Sequence, residues 1–571
     1  MQGQPLKLSI WGLLPLIAAC STQPLKETSQ PVAPAPVAAD AAQGKSALYE
    51  MAAASPPPPP LPSPVSAPSL NMASAAYAPT LARQSLPIAP PPPPVSGEQQ
   101  YEDKIENPVK RASEQPVSTF SVDVDTGSYT NVRQQVWRNQ SIDPRAIRAE
   151  EFINYFEYQY PDAKDKLPFS VNTLLTSAPW DNSRQLLRIA LKARDVKAAT
   201  LPPTNLVYLV DVSGSMYSPD KLDLVKQALT EMVDQLRPQD KISLVTYSGS
   251  TAVVLPATSG AEKEKIKSAI AALTAGGSTA GGAGIQLAYE QARAAFIKGG
   301  LNRILLLTDG DFNVGISDTK TLKEFVAKQR QSGVGLSTLG VGDYRFNDGL
   351  MEQLADVGDG KYSYLDSLGE ARKVLIHEMS STLATVAKDV KIQVEFNPAY
   401  VQEYRLLGYD NRQLKREDFN NDQVDSGDVG AGHTVTAIYE ITPAGARATL
   451  DPLRYGADNQ ADVDKQPGKK NNELAYVRLR YKSPDEDKSQ LIERPVLTSS
   501  KVSWAQAGQD MYWATAAASF AFKLQGRSDI PQLSWDELIS MAKQGNTQDK
   551  YGQKQEMLAL LEKARLQVGG K

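Results

Sequence analysis

Asp211, Ser213 and Ser215 in VYLVDVSGSM, Thr279 in GGSTAGG and Asp309 in ILLLTDGD are the residues whose types and spacing suit chemistry. Two carboxylates and three hydroxyls are hard oxygen donors, a set suited to a small hard cation such as Mg2+, with Mn2+ or Ca2+ as other candidates. No imidazole or thiolate lies near them in the sequence, so zinc and copper fit poorly. His377 and His433, the two histidines of the chain, are far apart in sequence and in different predicted elements, which argues against histidine catalysis. The pattern points to a metal-dependent binding protein rather than an enzyme.

Such residues converge only if the right elements carry them. Within residues 204–385, the short apolar runs Leu206–Val210, Ile242–Tyr247, Ile304–Thr308 and Leu336–Val341 read as strands covered on both faces. Between them Leu222, Val225, Leu229, Met232 and Leu236 form one helical stripe, and Ile266, Ile270 and Leu273 another. Alternation of this kind predicts an α/β fold, a doubly wound, Rossmann-like sheet with right-handed crossovers. Asp211 and Asp309 directly follow strands, at the carboxyl ends where open α/β sheets place ligands. Gly214 and the glycines at 276, 277, 281 and 282 let loops approach an ion closely.

The flanks have a different character. Residues 101–203 read as a helix-and-strand segment: strand, turn and helix in STFSVDVDTGSYTNVRQQVW, an amphipathic helix over Ala146–Tyr158, then strands over Phe169–Thr176 and Leu186–Ala193. Residues 386–500 carry β-branched runs at Val390–Phe396, Thr434–Ile441 and Leu474–Tyr481 without crossover helices, so a β-sandwich-like domain is expected. Residues 501–571 read as helical, with Met511, Ala514, Ala518 and Phe522 on one face. The segments on either side of the α/β domain are expected to pair into one β-rich module.

At 571 residues the chain exceeds one core, and about three domains are expected. A net charge of -4 and a pI near 5.6 argue against nucleic acid as a partner, which needs a basic face. The single cysteine, Cys20, rules out an intramolecular disulfide. Residues 1–19 read as a signal peptide, because the apolar stretch Leu8–Ala19 after Lys7 is too short to span a bilayer. It ends Leu16-Ile17-Ala18-Ala19-Cys20, which resembles the lipobox of bacterial lipoproteins. That resemblance implies cleavage before Cys20, lipidation of its thiol (palmitate or a similar acyl chain) and of the new amino terminus, and a membrane anchor in the cell envelope. Ser21, where an Asp would signal inner-membrane retention, favours the outer membrane, facing either the periplasm or the surface. Residues 20–100 are rich in Pro, Ala and Ser, with runs Pro56–Pro60 and Pro90–Pro94. A segment of this composition reads as a disordered, semi-stiff tether, reaching on the order of 250 Å if fully extended at ~3.1 Å per residue.

Asp-x-Ser-x-Ser, a Thr on a loop and an Asp after a later strand together resemble the metal-ion-dependent adhesion site of von Willebrand factor A domains. The resemblance covers roughly residues 204–385, through Asp211-Val212-Ser213-Gly214-Ser215, Thr279 and Thr308-Asp309-Gly310, with all five positions intact. It implies that the serines and the threonine ligate the ion directly or through water, that the aspartates act often through water, and that an Asp or Glu of a protein partner completes the shell. It also implies that strand shifts near the site couple binding to conformation. TFSVDVDTGSYTNVR, EEFINYFEYQYP, LLTDGDFNVG, VDSGDVGAGHTVTAIYEI and the final helices extend the likeness over residues 117–565 to bacterial von Willebrand A lipoproteins of the YfbK type. No defined activity follows from that likeness.

Other chemistries fit less well. Asp125-Thr126-Gly127-Ser128 and Asp425-Ser426-Gly427 resemble the halves of an aspartic-protease dyad. The second, however, lies in a polar stretch, and a whole α/β domain intervenes. GGSTAGGAG lacks the Lys-Ser/Thr ending of a phosphate loop. The aromatic run Tyr155–Tyr160 and Trp504, Trp513 and Trp535 read as packing residues. The expectation is therefore a lipid-anchored, Mg2+-dependent protein-binding head on a Pro-rich stalk. Its alternatives are an envelope scaffold whose metal site only stabilises the fold, and a metal-dependent hydrolase.

Overall fold

The computed structural model describes residues 106–163, 167–196, 200–279, 281–310, 319–342, 347–378, 384–424, 426–451, 472–484, 486, 488–530 and 533–568. All of them belong to the unit Pro91–Lys571. Cys20, the signal peptide and the 20–100 tether lie outside the described residues, as does Asp425. No described helix is long and apolar enough to cross a membrane.

The centre is a six-stranded sheet in the order Tyr362–Leu365, Gly335–Val341, Leu301–Thr308, Thr204–Asp211, Lys241–Tyr247, Thr251–Ser259. Adjacent strands are parallel except the last pair. Alternation along each strand divides its side chains between two cores. Leu206, Tyr208, Val210, Leu305 and Leu307 join one, with helices Leu222–Val233 and Lys263–Ala271. Val207, Leu209, Ile304 and Leu306 join the other, with helices Gly281–Ala294, Thr319–Arg330 and Asp348–Val357. Each fully buried aliphatic side chain contributes roughly 1.5–3 kcal/mol, so a strand apolar on both faces is stable only between two helical layers. The α/β, doubly wound, Rossmann-like architecture expected for this region is what the structure shows.

The antiparallel edge strand Thr251–Ser259 was not legible. Val253 and Val254 are partly exposed, only Leu255 and Thr258 are buried, and Pro256 is tolerated because the outer edge needs no ladder donor.

A β-sandwich stands beside this domain. One sheet runs Lys110–Arg111, Val401–Leu407, Thr434–Pro443, Gln185–Ala193, Phe169–Ser177, Lys501–Val502. The other runs Gln413–Leu414, Val117–Ser121, Thr385–Phe396, Glu473–Lys482, Ser489–Leu497. Their facing side chains, among them Phe120, Phe169, Leu187, Ile189, Ile392, Phe396, Tyr404 and Tyr439, make a single core. Strands from both sides of the α/β domain thus interleave, and residues 386–500 supply only part of the sandwich.

The opposite face of the first sheet, with Leu186, Ala190, Leu407 and Ile438, is covered by helices Gly127–Trp137, Ala149–Asn154, Gln509–Gln525, Trp535–Gly545 and Gln553–Val568. Trp513 is fully buried there, and Trp504 and Trp535 pack against the same core. The helix expected over Ala146–Tyr158 is shorter. A 3-10 turn, Pro144–Ala146, precedes it, capped by the Asp143 carboxylate, which accepts the Arg145 N–H. The helix itself covers Ala149–Asn154. Beyond it Tyr155, Phe156, Tyr158 and Tyr160 are all buried in the helical core, and that burial overrides the helical period.

Candidate metal centre

Asp211 ends the Thr204–Asp211 strand and Asp309 follows the Leu301–Thr308 strand, its direct neighbour. From the first of these strands the sheet extends in both directions, so the crevice at their carboxyl ends is the topological switch point where such sheets bind ligands. Asp211 is fully buried. Its Oδ1 accepts the Ser213 N–H at 2.9 Å, and its Oδ2 accepts the Thr308 hydroxyl at 2.9 Å. The Gly310 N–H donates in turn to Thr308 Oγ1 at 3.0 Å. Burial, with Asp309 nearby, pushes the Asp211 carboxyl up to about 6 against the opposing hydrogen bonds from Ser213.

The chain then turns so that the Ser213 and Ser215 hydroxyls stand 3.0 Å apart. The glycine-rich loop is laced to this turn through its backbone. Gly214 donates to the Gly277 carbonyl at 3.0 Å, and Gly276 donates to the Val212 carbonyl at 2.8 Å. Gly277 takes φ 84°, a left-handed conformation natural to glycine. Thr279, two residues on, is buried. The following helix sits tightly on the sheet, since a Cβ on Gly284 would meet Tyr247 Cβ at 2.9 Å. Hydrogen bonds thus connect Asp211, Ser213 and Ser215, and backbone pairing brings the Thr279 loop against them.

Lys221, which the sequence reading missed, completes the cluster. Its ammonium donates to Asp309 Oδ2 at 2.9 Å and to the Ser215 carbonyl at 3.0 Å, and the side chain is buried. The available signal was a lysine six residues after Ser215, just before the Leu222–Val233 helix.

The donors fit a small divalent cation. Asp309 Oδ1 is buried and has no hydrogen-bond partner among the described residues, an acceptor placed for a cation. The paired hydroxyls add neutral oxygens of the kind Mg2+ accepts alongside water. Among the described residues no group of three or more His, Cys, Asp or Glu side chains is arranged for a metal, which leaves the mixed hydroxyl–carboxylate cluster as the candidate.

The remaining sequence candidates have other surroundings. Asp125 accepts the Tyr362 N–H at 2.8 Å and pairs with Arg412, so it ties the sandwich to the α/β domain. His377 and His433, distant in sequence, line one cavity of 610 Å3 together with Lys192, Lys361 and Glu378.

Residues 205–375 match the family model described as von Willebrand factor type A domain. Residues 381–566 match the model described as uncharacterized protein YfbK, C-terminal, and residues 95–188 the model described as von Willebrand factor. The chain is 46% identical over 477 residues to uncharacterized protein YfbK of Escherichia coli, covering 82% of this chain and 81% of that one. It is 31% identical over 189 residues to uncharacterized protein sll0103 of Synechocystis sp., covering 33% of this chain and 44% of the relative. A solved von Willebrand factor type A protein from Catenulispora acidiphila superposes with a TM-score of 0.39 at 16% identity, over 70% of this chain and 91% of that one. Von Willebrand factor A proteins often bind a divalent metal and mediate protein interactions.

Proposed function

Since the chain belongs to the YfbK family of von Willebrand factor A proteins, we propose that it is a lipid-anchored, divalent-metal-dependent protein-binding protein of the cell envelope. Asp211, Ser213, Ser215, Thr279 and Asp309 hold Mg2+, or Mn2+ or Ca2+ in its place, and an Asp or Glu of the partner completes the shell. The observation that carries this reading is the buried Asp309 Oδ1, without a hydrogen-bond partner among the described residues, on a loop that Lys221 ties to the Ser213–Ser215 turn at the carboxyl ends of adjacent parallel strands.

Neutral hydroxyls contact the ion without cancelling its charge, so a partner carboxylate is strongly attracted. Asp211, fixed at both oxygens by Thr308 and the Ser213 N–H, orients the ligand loop as an outer-shell group does. Membrane attachment through Cys20 rests on the lipobox, and the outer-membrane location on Ser21. A Cys20→Ala chain should leave the membrane fraction.

The test is capture from envelope extract with Mg2+, with chelator, and with Ser213→Ala/Ser215→Ala. A partner retained only by the metal-loaded wild type supports the reading. Equal capture in all three arms reduces the metal to a structural role.

A further inference from the structure

We propose that Lys221 is a built-in counter-cation of the metal centre: it holds down the affinity for the free ion and leaves the bound ion more charge for a partner carboxylate. This inference rests on the metal-binding reading above.

Lys221 is 5% exposed, and its ammonium is held at two points, Asp309 Oδ2 at 2.9 Å and the Ser215 carbonyl at 3.0 Å. Both partners belong to the ligand loops. The chain makes room for this side chain. At Gly342, φ 103°, an added Cβ would lie 2.5 Å from Lys221 Cε and 3.2 Å from its Cδ and Cγ, so a larger residue there would displace the lysine from this path. The Lys221 backbone is fixed as well, its N–H donating to the Ser218 carbonyl at 3.1 Å. A surface lysine pairing casually with an acid has none of these features.

The consequence is electrostatic. Asp211 and Asp309 bring two negative charges when ionised, and Lys221 returns one positive charge. A divalent ion would find a cluster of net charge -1 rather than -2, and the loaded site would carry +1 rather than 0. A buried charge close to the ion acts through a medium of low effective dielectric and is weakly screened by salt. Free-ion affinity is therefore lower than the five donors alone would give, and the attraction for an incoming carboxylate is higher. Metal and partner carboxylate then bind cooperatively.

The test titrates Mg2+ calorimetrically into the full chain as wild type, Lys221→Met and Lys221→Gln, each with and without acetate as the carboxylate probe. Both variants should bind Mg2+ roughly tenfold more tightly, and acetate should tighten Mg2+ binding in the wild type more than in either variant. Glutamine keeps hydrogen-bonding capacity without the charge. If it preserves wild-type affinity while methionine weakens binding, Lys221 merely props up Asp309 and the inference falls. Unchanged or weaker binding in both variants overturns it too. Should the methionine variant unfold, the glutamine variant decides alone. A wild type that shows no Ser213- and Ser215-dependent Mg2+ binding would instead sink the metal reading on which the inference stands.

Discussion

The Thr308 hydroxyl donates to Asp211 Oδ2 across 2.9 Å, linking the carboxyl ends of the two strands that frame the site. Thr308 is fully buried, and the same oxygen accepts the Gly310 N–H, so it aligns the acid and the start of the Asp309 loop together. Thr308→Val preserves shape and removes both bonds. Outer-shell changes of this kind typically cost ~10–100-fold in metal affinity. A Mg2+ titration of that variant should show such a loss; wild-type affinity would mean that the Ser213 N–H orients Asp211 without Thr308.

Arg133 holds three parts of the fold at one point. From helix Gly127–Trp137 it reaches Asp366 at 2.6 Å, Glu370 at 2.9 Å, Glu556 at 3.0 Å and the Tyr155 hydroxyl at 2.8 Å, with 2% exposure. Removing one partner of a buried ion pair costs about 3–5 kcal/mol, because uncompensated charge stays behind. Arg133→Met should shift the urea midpoint accordingly. Arg138→Ala, which loses only the half-exposed pair with Asp220, should cost less than about 1 kcal/mol. Equal effects in the two variants would contradict this account of the junction.

His433 gives the stability a defined pH dependence. Burial, then Lys361, lowers its imidazole pKa from 6.5 to about 3. Between those values the unfolded chain binds the proton and the folded chain does not. The contribution is therefore fully present above pH 6.5 and is lost as pH falls toward 3. His433→Gln should flatten the decline in melting temperature across that window relative to wild type. Superimposable profiles would show that His433 titrates alike in both states.

Gly360 separates fold from site. An added Cβ there would lie 1.8 Å from the Leu336 carbonyl oxygen, a backbone atom that cannot swing aside. Gly360→Ala should destabilise by roughly 1–3 kcal/mol or more, as overpacking does, and leave Mg2+ affinity unchanged. Melting curves and a metal titration check the two halves separately.

That Asp211, Ser213, Ser215, Thr279 and Asp309 fall at strand ends and on a glycine-rich loop was legible, because apolar strands and glycine-rich loops are strong local signals. The four inner strands of the central sheet were legible for the same reason, being apolar on both faces. Lys221 was not, since a lysine at a helix start looks like any solvated charge until Asp309, 88 positions later, folds beside it. Strands Thr251–Ser259 and Ser489–Leu497 were obscured by the exposed side chains and prolines that edge positions tolerate. The meeting of His377 and His433 at one cavity is a tertiary fact with no local trace.

Calorimetric titration of Mg2+ into the full chain, beside Ser213→Ala/Ser215→Ala, decides whether the cluster at the strand ends is a metal site. One saturable site is expected in the wild type and none in the double variant, with both proteins melting at about the same temperature in chelator. Absence of saturable binding in the wild type, or equal affinity in the two, would contradict it.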